Sequence, residues 1–238
     1  MKAVWTIAAR EATRFFTSVT AYIVIALFLF IAGGLFWIEL LGSSAAELSM
    51  RSFFQRGPLL LAFFVPALTM GLFAEENRAR TLELLMTLPL QDAHVVLGKF
   101  LGAMLMLTAV LGATLPYAFT LAGLGDLDWG PVLGGYLGLL LLGGAYTAIG
   151  VFVSSLTRDQ IVAILVTFFV CFVLNILGEL AAHAGGGTAS SLLRWLSTSG
   201  HFQSISRGVI DLRDVVYYLS WIIIALAGAT AALSRRRW

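Results

Sequence analysis

Six long apolar runs alternate with short polar segments along the chain, at about 19–41, 57–74, 98–122, 132–153, 161–182 and 215–233. A helix needs about 20 apolar residues to cross the hydrocarbon of a bilayer. Each run therefore predicts a membrane-spanning helix; the second is short and carries Pro66. Shorter stretches beside the runs carry a helical period. In 2–16, Trp5, Ala8, Ala12 and Phe15 share one face, while Lys2, Thr6, Arg10 and Arg14 lie largely on another. This pattern predicts a helix lying on the inner leaflet rather than a plain charged anchor. In 75–89, Leu82, Leu85 and Met86 are spaced i, i+3, i+4, and Glu76 precedes Arg80 by four residues. A short surface helix ending at Pro89 follows, with Asp92 placed to cap the next helix. Leu192, Leu193, Trp195 and Leu196 predict another short apolar helix, broken by Ser197-Thr198-Ser199-Gly200. A second turn of helix is expected from His201 to Arg207, closed by Gly208, with Asp211 capping the last span.

Composition sharpens this into a class. Of 238 residues, 59% are hydrophobic and 12% charged, and the mean hydropathy is +0.92. Soluble domains carry roughly 25% charged residues, so the chain reads as an all-α polytopic membrane protein forming one domain, 1–238. A net charge of +2 argues against a nucleic-acid partner. Cys171 lies inside an apolar run and reads as a packing residue. The first apolar run has no small-residue cleavage site and is expected to be retained.

Six spans put both termini on one side. Lys2, Arg10, Arg14, Arg78, Arg80, Lys99, Arg158, Arg235, Arg236 and Arg237 fall on that side; Arg51, Arg56, Arg194, Arg207 and Arg213 fall on the other. The bias predicts cytoplasmic termini. The segment 75–92 and the loop at Arg158 and Asp159 are then cytoplasmic, and 183–213 is an outer loop.

The chain carries little catalytic chemistry. Gly98-Lys99-Phe100 lacks the glycine and the Ser or Thr of a phosphate-binding loop, so an ATPase must be a separate subunit. No metal-binding spacing of Cys and His occurs, and His94, His183 and His201 are expected on different sides of the membrane. Gly123-Leu124-Gly125-Asp126 matches a string of intramembrane aspartyl proteases, but such chemistry needs two facing aspartates within the membrane. A glycine-rich turn is the better reading. The spans hold almost no ionisable residues, which argues against an ion-coupled carrier and for energy supplied from outside the membrane. Glu39 and Glu179 sit near outer ends of spans, as vestibule or interface residues. Asn175 is expected to bond to a neighbouring helix. Gly130, Gly134 and Gly138, followed by Gly143 and Gly144, permit close helix contact, within the bundle in preference to a dimer seam.

Several strings carry a family resemblance. They are Ala74-Glu75-Glu76, Thr81-Leu82-Glu83-Leu84-Leu85-Met86-Thr87-Leu88-Pro89, Val95-Val96-Leu97-Gly98-Lys99-Phe100, and Ser154-Ser155-Leu156-Thr157 with Gln160-Ile161-Val162. Over nearly its whole length the chain resembles a type-2 permease of ABC transporters. His201-Phe202 with Arg207-Gly208-Val209-Ile210-Asp211 is similar to the gliding-motility permease group. The resemblance implies a six-span, non-enzymatic permease subunit in the bacterial inner membrane, working as an exporter or a transmitter of force. It implies pairing with a second copy, or with a related membrane subunit bearing a large outer domain. Two cytoplasmic ATPase subunits would hold ATP and Mg; this chain would hold no cofactor. The family's connecting helix falls on 1–18, its coupling helix on 75–92, and its re-entrant outer helices within 183–213. On this reading Glu75, Glu76, Arg78, Arg80 and Glu83 face the ATPase, with Arg158 and Asp159 as a second contact. Glu39, Glu179, His201, Arg207 and Asp211 belong to the outer mouth. The rival reading is a non-transporting membrane scaffold that anchors partner proteins.

Overall fold

The computed structural model describes residues 2–42, 49–80, 91–125, 127–183, 187–209 and 211–235. Among the described residues every regular element is a helix: α1 (Lys2–Thr17), α2 (Val19–Gly42), α3 (Arg51–Thr69), α4 (Gly71–Arg78), α5 (Asp92–Gly112), α6 (Leu115–Leu124), α7 (Trp129–Leu156), α8 (Gln160–His183), α9 (Thr188–Leu196), α10 (Thr198–Ser206) and α11 (Leu212–Ser234). Six segments are long and apolar enough to cross a membrane: α2, α3 with α4, α5 with α6, α7, α8 and α11.

α7 is the hub, because its sequence removes side chains where neighbours must come close. A Cβ on Gly135 would lie 2.5 Å from the Phe54 ring of α3, and one on Gly143 would lie 2.5 Å from Leu107 of α5. Helices approach this closely only through small residues, which turn lost side-chain volume into dispersion contact. α2 is peripheral by contrast. An edge-on Phe28–Phe64 pair, a Phe36–Tyr117 stack and a hydrogen bond from the Tyr117 hydroxyl to the Leu29 carbonyl help hold it.

Two spans are broken in ways their residues explain. Between α5 and α6, Pro116 stands in the first turn of the new helix, where its missing N–H costs nothing. Thr114 is fully buried there; its hydroxyl is shared between the Leu111 carbonyl and the Tyr136 hydroxyl. The second span breaks at Met70, four residues after Pro66.

Several local expectations change. The second span begins at Arg51, not at 57, because Phe53 and Phe54 bury against the bundle and draw Arg51 and Arg56 into the helix as exposed residues. Asp92 is the first helical residue and Gln91 takes the capping position; Asp92 still places negative charge at the positive end of α5. Ser197 alone separates α9 from α10, so Thr198, Ser199 and Gly200 are helical rather than a break. α1 exists over nearly the expected range, but its buried face differs. Ala8 and Glu11 turn inward while Trp5 is 64% exposed. α1 presses on the glycines of α5: a Cβ at Gly98 would meet Ile7 at 2.6 Å, and one at Gly102 would meet the Cβ of Glu11 at 2.7 Å.

Candidate functional site

Lys99 sits two turns into α5, in a run whose neighbours Gly98 and Gly102 let α1 lie directly on the helix. That approach seals the lysine from solvent, leaving it 1% exposed. Its ammonium donates to Glu11 Oε1 of α1 at 2.9 Å, to Glu76 Oε1 of α4 at 2.8 Å and to the Leu72 carbonyl at 2.7 Å. An ammonium has three N–H donors, and all three are used. The Phe73 ring lies 5.0 Å from the nitrogen and adds a cation–π contact. One side chain thus rivets three helices together. Within the third span Lys99 is the ionisable exception, and its partner Glu11 comes from α1, outside the spans; both are buried. Lys99 is therefore no exposed charge anchor.

A second pair bridges the same two helices nearer the surface. Arg14 of α1 donates to Glu75 of α4, and its other terminal nitrogen lies 3.9 Å from Glu11. The Arg14 and Glu75 side chains are 43% and 51% exposed, so this pair contributes about 0–1 kcal/mol. The buried rivet differs in kind: removing one partner of a buried pair costs about 3–5 kcal/mol, because a desolvated charge is left behind.

The break before α4 is held by α7. Met70 has no side chain able to cap α4, and the amides of a helix's first turn have no partners within it. Ser154 supplies one: Phe73 N–H and Ala74 N–H donate to its hydroxyl at 3.0 and 3.1 Å, and the hydroxyl donates to the Met70 carbonyl at 3.0 Å. Asn77 Nδ2 donates to the Thr157 carbonyl at 2.9 Å, tying α4 to the turn before α8. Replacing Ser154 with Ala orphans two buried amides, at about 1–3 kcal/mol each. The expected outcome is a lower unfolding midpoint in detergent; an unchanged midpoint contradicts this account of the break.

The residues expected to face a partner separate into groups. Glu75 pairs with Arg14, and Glu76 turns inward to Lys99 with 16% of its side chain exposed. Arg78 and Arg80 are exposed. Arg80 lies past the end of α4 with φ +57°, so the expected helical Glu76–Arg80 spacing does not apply. Arg158 and Asp159 are exposed beside them through the Asn77–Thr157 bond, and Asp159 Oδ1 accepts from Ile161 N–H at 2.8 Å at the start of α8. Glu83, the Leu82–Leu85–Met86 stripe and Pro89 lie outside the described residues, as does Asp126.

At the opposite end, α9 and α10 fold back against the bundle. Phe202 and Ile205 are buried on α7. A Cβ at Gly134 would lie 2.5 Å from the Ile205 carbonyl, one at Gly138 would lie 3.0 Å from Phe202, and Gly208 packs against the backbone of Gly130. Gly208, at φ +84°, makes the turn out of α10 in a conformation that side chains resist. Tyr146 hydrogen-bonds the Thr198 hydroxyl at 3.0 Å, and Tyr218 donates to the Thr198 carbonyl at 2.7 Å. Asn175 takes part through its backbone: its carbonyl accepts from Ser199 at 2.8 Å.

The expected outer-mouth residues are not gathered into one site. Asp211 caps α11 by accepting from Arg213 N–H at 2.9 Å. Arg207 and Glu179 are exposed and Glu39 is half-buried. His201 meets Asp214 instead, with Nδ1 2.6 Å from its carboxylate, the ring stacked on Tyr217 at 4.1 Å and Nε2 3.2 Å from the Trp195 carbonyl. Sequence reasoning missed Lys99, Glu11, Ser154 and Asp214. The available signal for the first was a lysine next to small residues in an apolar run.

This architecture defines a polytopic helical membrane protein, closed at one end by two short folded-back helices and at the other by a riveted N-terminal helix. The model of the ABC-2 family transporter proteins matches residues 5–238, and the chain belongs to that family. It is thus a multi-pass permease component of an ABC transporter. No curated protein matches the chain significantly.

Proposed function

We propose that this permease converts ATP hydrolysis by a separate cytoplasmic ATPase into movement of the helix bundle. The observation that carries the reading is the Lys99 rivet, which joins α1 to α4, the helix that precedes residues 81–90 in the chain. A push on that segment reaches α4 directly, α1 through Glu11, and α5 through Lys99 itself. Glu76 acts from inside by holding the rivet. The surface offered to the ATPase is then Glu75, Arg78, Arg80 and Glu83, with Arg158 and Asp159 beside them. ATP and Mg belong to that partner. Both termini and this surface are cytoplasmic in a bacterial inner membrane. The permease works as a pair, with a second copy or with a related subunit of the gliding-motility type bearing a large outer domain, and serves export or the transmission of force.

The test is co-purification from native membranes in mild detergent. A soluble ATPase is expected in equal stoichiometry. Reversing Arg78, Arg80 and Arg158 together to Glu is expected to weaken its retention by at least about tenfold, since charge-assisted contacts are each worth about 1.5–3 kcal/mol. Retention of the ATPase by the triple variant sinks the interface. Recovery of the chain with non-ATPase partners alone favours the scaffold.

A further inference from the structure

His201 of α10 faces acceptors with both edges of its ring. Nδ1 lies 2.6 Å from Asp214 Oδ1 of α11, and Nε2 lies 3.2 Å from the Trp195 carbonyl in the last turn of α9. A neutral imidazole carries one N–H donor and one lone pair, whereas the imidazolium carries two N–H donors. Between a carboxylate and a carbonyl, only the imidazolium makes both bonds. In the neutral ring one nitrogen must aim its lone pair at an oxygen. Stacking on Tyr217, with centroids 4.1 Å apart, holds the ring in this plane. The surroundings favour charge on both partners. Asp214 stands in the first turn of α11, at the positive end of that helix, and the Trp195 carbonyl stands at the negative end of α9. The Asp214 side chain is 8% exposed and its Oδ2 has no hydrogen-bond partner, so the carboxylate depends on His201. The His201 side chain, 17% exposed, stays within reach of protons from water. α10 carries no other charged residue. Arg194 of α9, Asp211 and Arg213 at the head of α11, and Glu179 and His183 near the end of α8 are exposed.

We propose that His201 is a proton-operated latch between α9 and α11. Charged, the ring ties the end of α9 to Asp214; neutral, it lets the Trp195 carbonyl go. The neutral ring keeps its one N–H for the carboxylate, since a bond to an ionised acceptor is the stronger of the two. The bond to Trp195 is therefore present while the ring is protonated and is lost as pH rises. What opens is local. The Tyr217 hydroxyl still donates to the Leu196 carbonyl at 2.6 Å, and α10 stays on the bundle through the bonds of Thr198 to Tyr146 and Tyr218, which contain no imidazole. α9 is thus the mobile cover of this end, and its freedom is set by the proton concentration on the side that 183–213 faces. The inference stands apart from the coupling reading, because it requires no ATPase.

The experiment is hydrogen exchange on the full chain in nanodiscs at about pH 5.5 and about pH 8.5, a span across which histidine side chains commonly change charge. Rates are corrected for the intrinsic pH dependence of amide exchange. The amides of 193–197 are expected to lose protection about tenfold at the higher pH, the scale of one charge-assisted hydrogen bond, while those of α10 keep theirs. Equal protection at the two pH values overturns the proposal with no variant needed. His201→Gln is expected to be weakly protected over 193–197 at both; a pH response that persists in it shows that another group titrates and overturns the assignment. Asp214→Asn separates the latch from a merely structural ion pair. The Asn amide donates to Nδ1, which leaves Nε2–H for the Trp195 carbonyl, so the neutral ring now makes both bonds. This variant is expected to stay protected at both pH values. Loss of protection at both, or a remaining pH response, overturns the two-acceptor account.

Discussion

Lys99→Met is expected to release α1 from the bundle. The substitution leaves Glu11 and Glu76 with no cation between them, and the Leu72 carbonyl loses its side-chain donor. Two carboxylates facing one dry site cannot both stay ionised without cost, and breaking a buried pair from one side costs about 3–5 kcal/mol. Hydrogen exchange is the direct measurement: the amides of α1 are expected to lose protection, while those in the middle of α7 keep theirs. A triple variant, Lys99→Met with Glu11→Leu and Glu76→Leu, separates charge from packing. Replacing a whole buried ion set with apolar groups is often neutral or stabilising, so α1 is expected to dock again. If exchange in α1 is unchanged in Lys99→Met, the rivet is no rivet. If the triple variant restores docking and ATP-driven function together, the charges are dispensable for coupling as well.

Gly134→Leu is expected to drive α10 off α7. Even a Cβ at this position would lie 2.5 Å from the Ile205 carbonyl and 3.0 Å from Gly208 Cα. Both obstacles are backbone, so no rotamer change relieves them. Inserting extra methylenes into a packed site costs about 1–3 kcal/mol even where side chains can yield, and here the whole hairpin must move. The buried hydroxyl and carbonyl of Thr198 would then part from Tyr146 and Tyr218. The expected result is loss of exchange protection across α9 and α10, with a lower unfolding midpoint. Gly123→Ala is the matched control. Its Cβ meets nothing within 4 Å, so the change is expected to be neutral or slightly stabilising, as alanine is the better helix former. A Gly134→Leu protein with α10 fully protected would show that these helices are not held by glycine contact.

The two variants probe opposite ends, and they differ in what their sequence neighbourhoods reveal. At the α10 end, much is local. Asp211 caps α11 two residues away, Gly208 makes its turn by its own freedom of φ, and the apolar residues of 188–196 announce a short helix. The pairing of His201 with Asp214 needed more, because two acids follow it and only the folded hairpin selects the second. At the riveted end almost nothing is local. Lys99 meets Glu11 across 88 positions and Glu76 across 23, and Ser154 meets Phe73 across 81. Read along the chain, Glu11 is one acid in an amphipathic helix, and Lys99 is an anchor at the start of a span.

The chain by itself determined the helical class and the six spans. These follow from hydropathy, period and the backbone habits of Pro and Gly, all of which act within a few residues. It also determined family membership, which rests on the match to the ABC-2 family over residues 5–238. Only the tertiary structure decided which charges are buried and whom they meet. Burial of Lys99 depends on α1 lying over Gly98 and Gly102, and desolvation is a property of that approach rather than of any single segment. An ammonium is tolerated there only because three acceptors converge on it from two other helices, and convergence in space has no signature along a sequence.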